Sequence, residues 1–145
     1  MDEFPITCVI ERSVEDVFDA LVNTQRIPDW NHGVIEVRTK DTPLHVGSHL
    51  TYIGKFLGRT FESESEVTEY VASSRFAARS MSGPFQLEVE NSLQSTDVGT
   101  RMDSLFRGES RGFFKLAEPV IVRLSKKLFE DSTENFKALL EAKLL

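Results

Sequence analysis

Apolar residues alternate at the start of the chain: Phe4, Ile6, Cys8 and Ile10 share one parity, which predicts a strand from Phe4 to Glu11. The period then changes. Ser13-Val14-Glu15-Asp16 fits a relaxed capping box, and Val14, Val17, Phe18 and Leu21 recur at helical spacing, so a short helix is expected there. A second, shorter helical turn is predicted through Thr24 to Ile27, before Pro28 and Trp30. From Val34 to Glu109 the period is two, predicting strands at 34–41, 48–57, 60–71, 75–81, 85–95 and 99–108. Turn residues separate them: Pro43 to Gly47, Gly58-Arg59, Ser73-Ser74, Ser82-Gly83-Pro84 and Asp97 to Gly99.

Four of these strands divide into two faces. Glu62, Glu64, Glu66, Arg75, Arg79, Gln86, Glu88, Glu90, Arg101, Asp103 and Arg107 lie on one. Phe61, Ser63, Ser65, Val67, Phe76, Ala78, Ser80, Phe85, Leu87, Val89, Met102, Ser104 and Phe106 lie on the other. An antiparallel sheet with one wet and one covered face gives this split. After Gly112 the spacing becomes helical, with Pro119 near the start and Val120, Ile121, Leu124, Leu128, Phe136, Leu139 and Leu140 along one side. A helix of roughly 25 residues spans nearly 40 Å at about 1.5 Å per residue, long enough to cover the sheet. The fold class is α+β: one strand, two short helices, six antiparallel strands and a long C-terminal helix.

Composition narrows the function. With 145 residues, 40% hydrophobic and 28% charged, the chain suits one globular domain over 1–145. A net charge of −6, with basic residues scattered singly apart from Lys126-Lys127, argues against nucleic acid and anionic membranes as partners. The N-terminal MDEFPITCVIERS lacks the positive charge of a signal peptide and no apolar run is long enough to span a membrane, so a cytoplasmic protein without membrane insertion is expected. Cys8 is the only cysteine, which excludes an intrachain disulfide. Small hydrophobic or amphipathic molecules are left as partners, and a homodimer is open.

The element order and several short motifs resemble the polyketide cyclase/dehydrase-like members of the START-like (SRPBCC) superfamily. The matching residues are Val17-Phe18 with Ala20-Leu21, Pro28-Asp29-Trp30, Pro43-Leu44-His45-Val46-Gly47-Ser48, Gly99-Thr100-Arg101, Gly108, and Asn135-Phe136-Lys137-Ala138-Leu139-Leu140-Glu141. The resemblance implies a helix-grip fold, a strongly bent seven-stranded antiparallel sheet wrapped around the C-terminal helix with a ligand cavity between them. It does not imply one chemistry, because the superfamily includes lipid carriers, hormone-binding proteins, aromatase/cyclases and co-chaperone-like domains.

Residues 61–67, FESESEV, pose the sharpest question, since Ser63 and Ser65 share the covered face with Phe61 and Val67. Together with Ser80 and Ser104 they either leave a void among Phe61, Phe76, Phe85 and Phe106, or fill ordinary gaps by bonding to backbone. On the cavity reading, Leu87, Met102, Val120 and Leu124 complete the wall, while Phe113, Phe114 and Leu116, with Trp30, guard the entrance. Trp30 and Tyr52 offer polar handles for a ligand, and each equally suits simple packing. Catalytic residues are not identifiable: no G-x-S-x-G elbow occurs, Cys8 reads as a buried inert thiol, and the carboxylates fall on the wet face. His45 and His49 stand about 13 Å apart along a strand, so no metal site is expected. No cofactor is implied. Three functions stay open: a carrier of a lipid, isoprenoid or polyketide-like molecule, a cyclase or dehydratase using Tyr52 or a histidine, and a protein-interaction domain.

Overall fold

The computed structural model describes residues 2–110 and 112–145, with the side chains of 112–114 outside the described residues. Strand β1 (Asp2–Ile10) leads into helix α1 (Val14–Leu21), whose first turn is capped by Ser13: its Oγ accepts the Asp16 N–H at 3.2 Å. A 3₁₀ turn, Thr24–Arg26, runs directly into the one-turn helix α2 (Ile27–Trp30). The helical segment therefore continues past Ile27, because Pro28 sits in the first turn of α2, where its missing N–H has no partner to lose.

Six strands follow: β2 (Val34–Arg38), β3 (His49–Phe56), β4 (Arg59–Val71), β5 (Arg75–Ser80), β6 (Phe85–Ser95) and β7 (Thr100–Ser110). They form one antiparallel sheet in the order β1-β7-β6-β5-β4-β3-β2, so each hairpin pairs with the next and β1 closes on the last strand. A second 3₁₀ segment, Gly112–Ala117, precedes helix α3 (Glu118–Glu141). No helix among the described residues is long and apolar enough to cross a membrane.

One irregularity resets a strand. Between Val67 and Glu69 the register of β4 against β5 shifts, leaving Thr68 as an extra residue. Beyond this bulge the inward parity passes from odd to even positions, so Tyr70 turns inward against Phe18, with ring centroids 5.3 Å apart. Glu69 stays outside and pairs with Arg75.

The inner face is solid at one end. Ile10, Val17, Leu50, Val67, Phe136 and Leu140 are all at most 1% exposed, which places the core under α1 and the C-terminal half of α3. Helix α3 is fastened there by polar contacts at its C-terminal end: Arg12 Nη1 donates to the Leu140 carbonyl at 2.6 Å, and Glu141 Oε2 accepts the Glu11 N–H at 2.9 Å. Midway along the helix, Asn135 Nδ2 donates to the carbonyls of Asp29 and Trp30, both at 3.3 Å, tying α2 to α3.

Candidate functional site

Moving away from that core, each strand exchanges bulk for small or polar side chains on the same face. Along β4 the order is Val67, Ser65, Ser63, Phe61; along β6 it is Leu93, Asn91, Val89, Leu87, Phe85; along β7 it is Met102, Ser104, Phe106. The result is a cavity of about 230 Å³ between the sheet and α3. A smaller compartment of about 90 Å³ adjoins it, and Gly33, Phe61, Phe85, Leu87, Leu128 and Phe129 line both. FESESEV is thus a gradient: Val67 packs the core, the serines face the hollow, and Phe61 stands between the two compartments.

The serines do both of the things open to them. Ser63 Oγ donates to the Ser82 carbonyl at 2.9 Å, while Ser80 Oγ donates to Phe85 O at 3.1 Å and accepts the Leu87 N–H at 2.7 Å. These bonds pin the β5–β6 turn to the wall. Ser104 Oγ donates to Asn91 Oδ1 at 2.7 Å, and Asn91 Nδ2 reaches the Phe76 carbonyl at 3.3 Å. Ser65 is buried and its hydroxyl has no partner among the described residues.

Trp30 and Tyr52 also line the cavity. The indole packs on Phe136 at 4.7 Å between ring centroids, and its Nε1 is buried without a hydrogen-bond partner. Tyr52 pairs with Ser63 across the strands, so Ser65 lies one pleat along the same face. Its hydroxyl has no partner among the described residues, and burial pushes its pKa up to about 12. A phenol that holds its proton so firmly is a donor, not a base, near neutrality. Burial likewise pushes the Cys8 thiol up to about 11, consistent with an inert side chain.

Twelve predicted residues meet around this cavity: Trp30, Tyr52, Phe61, Ser63, Ser65, Phe76, Ser80, Phe85, Leu87, Met102, Ser104 and Phe106. The helix residues do not join them. Leu116 is 89% exposed on the 3₁₀ segment and Val120 is 47% exposed, while Leu124, half-buried, lines neither compartment. The physical reason is the facing of α3: Ile121, Ser125, Leu128, Phe129, Ser132 and Thr133 look inward, and the polar members of that stripe escape a count of apolar positions. The Phe113 and Phe114 side chains lie outside the described residues. Asn91 escapes the same count, although it shares the inward parity of Leu87 and Val89. All three histidines are exposed, away from the cavity lining. Among the described residues no group of three His, Cys, Asp or Glu side chains converges as a metal site would require.

A bent antiparallel sheet closed by a long C-terminal helix over an internal hollow defines a helix-grip protein. The comparisons agree. Residues 1–141 match a family described as "Polyketide cyclase / dehydrase and lipid transport", and the chain belongs to that family. No curated protein matches it by sequence. Among solved structures it is similar to a protein from Thermus thermophilus (TM-score 0.83, 15% identity, covering 98% of this chain and 99% of that one). It is also similar to a START superfamily protein from Mycobacterium smegmatis (TM-score 0.74, 15% identity, 97% and 95% covered). A third is the di-domain ARO/CYC StfQ of the steffimycin biosynthetic pathway (TM-score 0.75, 10% identity, 98% and 51% covered). At these identities the likeness concerns the fold.

Proposed function

We propose that this chain is a single-domain, cytoplasmic binder or carrier of a small hydrophobic molecule, held in the cavity between the sheet and α3. The observation that carries the reading is the change from solid core to hollow along β4, β6 and β7, where a closely packed interior has no use for Ser65 and Asn91. The lining is largely apolar and aromatic, with a few polar groups, as small-molecule sites are. Family membership supports it, since the family's description names lipid transport. A cyclase or dehydratase reading has weaker support: the titratable side chain facing the cavity, Tyr52, keeps its proton to about 12.

Native mass spectrometry of freshly purified protein tests the proposal. A co-purified small molecule, lost on extraction with organic solvent and accompanied by a change in Trp30 emission, is the expected result. Protein that carries nothing, and whose Trp30 emission no neutral apolar compound alters, overturns it.

A further inference from the structure

We infer, resting on the proposal that the cavity takes a small hydrophobic molecule, that its occupant is uncharged and carries an oxygen acceptor, which Trp30 and Tyr52 hold by donating to it. Four observations converge on this chemistry.

The first is the orphaned indole. Trp30 Nε1 is a donor only, it is buried, and it has no partner. A buried N–H left unpaired is costly, so a partner is expected from outside the chain. The second is Tyr52, whose hydroxyl is likewise unpartnered among the described residues and remains protonated over the physiological range. The third is that the polar groups elsewhere on the wall are already occupied. Ser63 and Ser80 serve the β5–β6 turn, and Ser104 and Asn91 serve each other. Asn31 and Ser132 accept the Gly33 and His32 N–H groups and Thr133 donates to the Phe129 carbonyl, so the polar side chains of the lining left with no partner among the described residues are Trp30, Tyr52 and Ser65.

The fourth observation is charge. Arg79 is the one charged residue among those lining the larger cavity, and its guanidinium pairs with Glu66 on the wet face at 3.2 Å. An ammonium drawn into the larger cavity would lose its hydration and meet no anion, and a carboxylate would meet only Arg79, already paired with Glu66. A ketone, ester, ether or alcohol oxygen needs only the donors that are present.

Three probes of matched shape test this on the intact chain by titration calorimetry: 2-acetylnaphthalene, 2-isopropylnaphthalene and 2-naphthoate. The ketone should bind roughly two- to tenfold more tightly than the hydrocarbon, the worth of one hydrogen bond, and the anion should bind weakest. Trp30→Phe and Tyr52→Phe should each reduce the ketone-to-hydrocarbon ratio towards one. Only that ratio counts, because lost apolar contact with the indole weakens both probes alike. Equal binding of ketone and hydrocarbon, or tightest binding of the anion, overturns the inference and leaves the proposed binding function standing. Failure of all three to bind counts against the binding function itself. The wild-type comparison needs no variant, so a poorly folding substitution does not rescue the inference.

Discussion

Replacing Ser65 by leucine separates a hollow interior from a packed one. Ser65 is 8% exposed, makes no hydrogen bond among the described residues, and faces a cavity of about 230 Å³. The exchange replaces a hydroxyl by carbon and adds two further carbons. At about 0.8 kcal/mol per buried methylene, three carbons contribute about 2.4 kcal/mol. Leucine loses about 0.5–1 kcal/mol of rotamer freedom, leaving a net gain of about 1.5–2 kcal/mol. At about 2–4 °C per kcal/mol for a chain approaching this size, Tm should rise by about 3–8 °C. Urea unfolding of ligand-free protein reads the stability, and calorimetric titration with 2-acetylnaphthalene reads the binding. Stability should rise while affinity falls, because the new side chain occupies the ligand's space. A loss of about 1–3 kcal/mol with unchanged affinity is what overpacking a full core produces, and that result refutes the cavity.

Three further perturbations follow from other parts of the fold. Tyr52 should lose its proton near pH 12 when folded but near 10 when unfolded, so stability is full below about pH 10 and falls by about 2–3 kcal/mol on the way to pH 12. Denaturation across that window should show the slope lessened in Tyr52→Phe; an unchanged slope refutes the assignment. Gly54→Ala would put a Cβ 2.6 Å from Phe61 Cζ and 2.9 Å from the Gly33 carbonyl oxygen, so a loss of about 1–3 kcal/mol is expected in urea unfolding, and a neutral effect would show the ring is not seated there. Deleting residues 119–145 removes Phe136 and Leu140, both buried in the core, and should abolish the cooperative thermal transition followed by circular dichroism; a truncated chain that still melts cooperatively would refute the role given to α3.

The sheet was largely legible because alternation reports which side of a strand is wet, and the parity of Phe61 to Val67 or of Phe85 to Val89 survives folding intact. Where the reading faltered, a local feature broke its rule. The bulge at Thr68 turns Tyr70 inward, a change of parity that no apolar count reveals. On α3 the cavity needs small polar residues at Ser125, Ser132 and Thr133, so a search for the most apolar face drifts to Val120 and Leu124. Asn91 is hidden for a related reason: its burial is made tolerable by Ser104 and the Phe76 carbonyl, partners from other strands that sequence spacing does not announce.

Phe61 lies across Gly54, edge-on to Phe85 at 5.4 Å between centroids, where the two compartments meet. These rings stand in the wall that the two compartments share with Leu87, Leu128 and Phe129. With no side chain on Gly54, the space over which the Phe61 ring swings is bounded by backbone, and its motion is a rotamer change that leaves the strands in place. Exchange between the compartments past these rings would meet the barrier to that rotamer change one pleat along from Tyr52. Substituting Phe61 by a smaller residue would lower that barrier in both directions, and would also remove part of the wall that an occupant of the larger cavity touches.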